Sequence, residues 1–69
     1  MTQEDYIAFA ELFKVEKPAN PPNGNFGDVT YFAAYGVWMR LVQSVADAFA
    51  ADNPHFDRQR FLRAAGLLD

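Results

Sequence analysis

Residues 28–52 read DVTYFAAYGVWMRLVQSVADAFAAD. At 100° per residue, Leu41, Ala34, Val45, Trp38, Tyr31, Phe49, Val42, Tyr35, Ala46, Met39 and Phe32 fall, in that order, on one continuous half of a helix. Arg40, Gln43, Ser44 and Asp47 fall on the other half, together with Ala33, Val37 and Ala48. The stretch predicts a single amphipathic helix, about 37 Å long at 1.5 Å per residue. An apolar half-cylinder of that length is costly in water, so the rest of the chain or a partner must cover it. Asp52-Asn53-Pro54 ends the helix, because a residue before proline is pushed out of the helical region. Asn25 or Asp28 can cap its start. Gly36 costs about 1 kcal/mol relative to alanine inside a helix and predicts a close helix–helix contact or a slight bend.

The flanking sequence offers two shorter helices. Over residues 3–16, Leu12, Phe9, Phe13, Tyr6, Ala10 and Ile7 share one face, and Glu4 and Glu11 stand together on the opposite one. Thr2 is the expected N-cap, with Asp5 as its capping-box partner. Residues 17–27 contain Pro18, Pro21, Pro22, Gly24 and Gly27 among three asparagines and read as a stiff connector, with Pro22-Asn23-Gly24 as a turn. Phe26 is the one large apolar residue there and is expected to pin the connector to the core. About ten residues suffice to return the first helix antiparallel to the long one. Beyond Pro54, Asp57 is an N-cap, Phe56 can staple to Phe61, and Gly66 stands where a C′ glycine belongs. A helix over 58–65 follows, with Phe61, Leu62 and Ala65 inward and Arg58, Arg60 and Arg63 outward or at the rim. The expected fold is an all-α, three-helix bundle forming one domain over residues 1–69. Two short helices can just cover the long stripe, so a monomer is expected, with dimerisation through leftover aromatics as the alternative.

The chain has 69 residues, no cysteine, and seven Phe, three Tyr and one Trp. Disulfides and thiolate metal sites are thereby excluded, and the core must rest on aromatic packing. With a single serine, Ser44, and a single histidine, His55, no nucleophile–base pair is set out by any motif, and no enzyme activity is expected. Asp52, His55 and Asp57 could be imagined around a metal, but they are better explained as helix-end caps. Gly24 and Gly27 lack the lysine and spacing of a phosphate-binding loop, so no cofactor is expected. No apolar run approaches the ~18 residues of a membrane span, and Met1 leads into polar residues. A soluble, cytoplasmic protein without a membrane partner is the expectation.

The net charge is −3. Residues 1–54 carry seven acids and three bases, whereas residues 55–69 carry two acids and three arginines. Non-specific nucleic-acid binding needs a positive excess, so direct nucleic-acid contact is disfavoured. The remaining basic feature, Arg58, Arg60 and Arg63 on the last helix, would serve a DNA-binding regulator. The acids Glu4, Glu11, Glu16, Asp28 and Asp47 offer the more promising surface. Its natural partner is a protein site that normally holds nucleic-acid phosphates, since complementary charge speeds encounter and fixes register.

Residues 52–67 read DNPHFDRQRFLRAAGL. This segment resembles one common in small phage and prophage proteins, in which an Asp-Asn-Pro turn leads into a Phe-Asp-Arg-x-Arg-Phe-Leu helix. The resemblance covers about a third of the chain and implies no catalytic residues. Asp57, Arg58, Arg60, Phe61 and Leu62 match as caps and packing positions. In size, charge and expected fold the chain also resembles anti-CRISPR proteins, including inhibitors of type I CRISPR–Cas surveillance complexes. That resemblance implies a phage-encoded inhibitor in the bacterial cytoplasm that blocks target-DNA recognition by imitating a short duplex with a few acids. The alternative is a phage structural or adaptor subunit that oligomerises through its aromatic helix surface.

Overall fold

The computed structural model describes residues 1–19 and 29–68. Three helices make up the fold: α1 (Gln3–Glu16), α2 (Val29–Asp52) and α3 (Arg58–Ala64), with no strand among the described residues. The all-α bundle with one long helix is thus as the apolar periodicity predicts, each boundary within a residue of its expected place. Asn25, Phe26 and Asp28, and most of the connector with its Pro22-Asn23-Gly24 turn, lie outside the described residues. No helix among the described residues is long and apolar enough to cross a membrane.

Local signals set the helix ends. Thr2 closes a full capping box: its Oγ1 accepts from the Asp5 N–H at 3.3 Å, and its own N–H donates to Asp5 Oδ2 at 2.9 Å. Asp57 caps α3, accepting from the Arg60 N–H at 3.0 Å. The Phe56 ring before the cap meets Phe61 with centroids 5.6 Å apart, so the predicted staple forms. At the far end the Leu67 N–H donates to the Leu62 carbonyl at 2.9 Å and the Gly66 N–H to the Arg63 carbonyl at 3.0 Å. These are the two bonds of a Schellman ending, and Gly66 supplies the positive φ of 89° that it requires.

Two hydrogen bonds fix the direction of α1 against α2. Asn53 Nδ2, just past the end of α2, donates to the Tyr6 hydroxyl at 3.2 Å, near the start of α1. The Trp38 indole N–H, mid-way along α2, donates to the Phe13 carbonyl at 2.8 Å, in the last turn of α1. The helices are therefore antiparallel. The second bond also satisfies a carbonyl that the helix end leaves without an intrahelical partner. α3 runs alongside α1 in the same direction, since Phe56 stacks on Tyr6 at its start and Gly66 meets Lys17 at its end.

The core is built from Ala10, Trp38, Val42, Ala46, Phe61, Leu62 and Ala65. Three alanines, one from each side of the bundle, are buried to 1% exposure or less and let the backbones approach closely. Rings close the Asn53 end: Phe49 lies within 5.0–5.5 Å of Tyr6, Phe9, Phe56 and Phe61. Among the described residues no polar or charged residue is buried.

Two expectations need correction. A Cβ built at Gly36 meets nothing within 4 Å, so of the two readings of this glycine the close helix contact is the one overturned. The two short helices also fall short of covering the long stripe: Trp38, Val42 and Ala46 are buried, but Phe32 and Leu41 at its edges are 51% and 52% exposed. The physical reason is geometric. Each apolar face spans about half a turn, and two neighbours on one side of a helix shield less than that.

Candidate protein-binding surfaces

The structure separates the acids that the sequence grouped. Glu4 and Glu11 lie two turns apart on one outward line of α1, and both are exposed. Glu16 is exposed on another side of the same helix, toward α2. Asp47 stands on α2 beside α3, where its Oδ1 accepts from Arg58 Nε at 2.9 Å. Asp28 lies outside the described residues. Glu4, Glu11 and Glu16 make no ion pair with any described residue, so α1, which also carries Asp5 and Lys14, keeps a net negative charge.

The arginine set is divided by the same contact. Arg58 is drawn back onto Asp47, while Arg60 and Arg63 are exposed on α3. The Arg58 and Asp47 side chains are 42% and 67% exposed, and a pair so open to solvent contributes at most about 1 kcal/mol and weakens with salt. No local spacing announces it, because the residues are eleven apart and meet only when α3 folds back.

Lys17 has a role that sequence reading did not assign. Its Nζ donates to the Gly66 carbonyl at 2.6 Å and stands 5.6 Å from the centre of the Trp38 ring. One ammonium thus ties the end of α1 to the end of α3 and adds a cation–π contact over α2. A Cβ at Gly66 would only touch the Lys17 side chain, at 3.4 Å, so it is the positive φ that calls for glycine there.

Two recesses differ in size: an open one of about 540 Å³ is bordered by Lys14, Lys17, Tyr31, Tyr35 and Gly66, and the other is narrow. Between α1 and α3 runs a cleft of about 50 Å³, lined by Gln3, Ile7, Phe56, Arg60 and Ala64 among others. Its charged side chains are Asp57 and Arg60, and Asp57 is already used as the cap of α3. Ser44 and His55 are both exposed; the His55 N–H donates to Asn53 Oδ1 at 3.0 Å in the turn that follows α2. Among the described residues no three His, Asp or Glu side chains gather where a metal ion could sit.

A further surface lies on the side of the α1–α2 pair that α3 does not touch. Ring contact of Phe9 with Phe49 marks where the two helices meet, and the Arg58–Asp47 pair marks the α3 side of α2. At 100° per residue Leu12 and Leu41 fall just beyond the meeting line, away from α3. They are 61% and 52% exposed. The apolar faces read from the sequence are correct in direction; what they could not reveal is that one flank of each remains open. The width of those faces, half a turn on each of two helices, was the available signal. Compared with family models, curated proteins and solved structures, the chain matches none.

Proposed function

We propose that the chain is a non-catalytic, phage-encoded binding protein of the anti-CRISPR type. It docks on a bacterial defence complex, such as a type I CRISPR–Cas surveillance complex, and blocks target-DNA recognition. One observation carries the reading: Glu4, Glu11 and Glu16 stand exposed on α1 with no cation of the described chain to neutralise them. An unpaired acidic helix is drawn to a basic site evolved for phosphates. Asp47 leaves this set, because Arg58 already holds it.

The charge-reversed variant Glu4→Lys with Glu11→Lys tests the reading in an assay of interference against phage. Inhibition is expected to disappear and binding to the surveillance complex to weaken at least about tenfold, as for loss of close interfacial charge pairs. Full inhibition by that variant would refute the acidic-helix reading.

A second reading is a phage structural or adaptor subunit that assembles through apolar helix surface, and the exposure of Leu12 and Leu41 favours it. Sedimentation separates the two, since a tight oligomer belongs only to the second. A DNA-binding regulator is less well served: with Arg58 engaged, Arg60 and Arg63 alone supply a small phosphate term on a chain of net charge −3.

A further inference from the structure

The open side of the α1–α2 pair has a particular chemistry. Phe9 and Leu12 from α1 and Leu41, Val45 and Ala48 from α2 share the flank turned away from α3. The antiparallel register set by Tyr6 with Asn53 and Phe13 with Trp38 brings them to the same level along the helices. They make a continuous apolar strip in the shallow groove between two helices, where a third helix can lie.

Its rim is acidic. On the same flank Asp5 and Asp52 stand at one end of the strip and Glu16 at the other, all exposed and none paired with a cation among the described residues. All six bases of the chain point elsewhere. Lys14 and Lys17 lie against Gly66, and Arg40 folds back toward the Gly36 carbonyl at 3.5 Å. Arg58 is on Asp47, and Arg60 and Arg63 ride on α3.

From this juxtaposition we infer that the strip is a docking groove for an amphipathic helix of another protein, one with an apolar face and a lysine- or arginine-rich border. The strip supplies apolar area in its middle and carboxylates at both ends, and a basic helix answers both features at once. A second copy of this chain is a poor occupant, because turning a copy over to face the strip sets carboxylates against carboxylates. The inference rests on the reading of the chain as a protein binder and names a surface distinct from the Glu4–Glu11 line.

The test uses the intact chain and a synthetic helical peptide of about 18 residues, long enough to span the strip at 1.5 Å per residue, with leucine on one face and lysine on the other. A matched peptide carrying glutamate in place of lysine is the control. Calorimetric titration is expected to show binding of the lysine peptide, weakening as salt rises, and none of the glutamate peptide. The double variant Leu12→Asn with Leu41→Asn is expected to bind about tenfold more weakly, the effect of losing buried leucine contacts. Both leucines are more than half exposed, so the fold should persist, which circular dichroism checks. Glu4→Gln with Glu11→Gln should leave peptide binding unchanged, so the groove and the acidic-helix reading succeed or fail separately. Absence of binding, equal binding of both peptides, or binding indifferent to the leucine substitutions would overturn the inference. So would a dimer in sedimentation that Leu41→Asn dissociates, since a second copy would then hold the strip.

Discussion

The seven residues of α3 and the first nine of α2 show opposite ways of being helical. α3 is too short to persist alone, yet its ends are satisfied and its one ring is enclosed: Asp57 caps it, Phe56 staples it, Gly66 terminates it, and Phe61 meets Phe13, Phe49 and Phe56. Residues 29–37 belong to a helix more than three times as long, but Val29 is 78% exposed, and Phe32 and Val37 are more than half exposed. There the rings of Tyr31, Phe32 and Tyr35 contact one another along their own helix. Within a folded protein, most of a helix's stability comes from the neighbours its apolar face packs against.

The sharpest way to break this comparison is Phe61→Ala. Removing a ring that is 4% exposed and touches three others should cost about 3–5 kcal/mol, enough to unfold a domain this small, as urea denaturation would show. A loss below about 1 kcal/mol would mean that α3 is an accessory to the core rather than its closure. Next comes Gly66→Ala, expected to cost about 1–2 kcal/mol because the left-handed backbone there disfavours a Cβ. The same titration reads it, and an unchanged midpoint would show that the Schellman ending contributes little. In the open half of α2 the sign reverses. Gly36→Ala meets no neighbouring atom and should stabilise the chain by up to about 1 kcal/mol, raising the urea midpoint. A loss of stability would mean that the glycine is kept for a packing reason not visible in the isolated chain.

Much of the fold was legible because it is written locally. Thr2 with Asp5, Asp57 with Phe56, and Gly66 with Leu67 are short-range patterns, each decided by residues within a few positions. The 3.6-residue period likewise located Trp38, Val42 and Ala46 at the centre of the buried face. The surfaces were legible only in part. Arg58 with Asp47 and Lys17 with Gly66 are made by chain return, over separations of 11 and 49 residues. Charge counting along the sequence cannot say which carboxylates such contacts will consume. Periodicity has a related blind spot: it ranks Leu41 beside Trp38 as apolar-face residues, although coverage depends on how many neighbours arrive and from which side.

Trp38 is the chain's sole indole, and the structure holds it in a defined setting: 6% exposed, its N–H bonded to the Phe13 carbonyl, with the Lys17 ammonium above the ring. Two of those three restraints come from α1 and the Lys17 that caps its C-terminal end. The protein therefore carries an intrinsic fluorescent gauge of whether its first helix is seated, and lifting that helix would shift the emission toward that of a water-exposed indole without any label being attached.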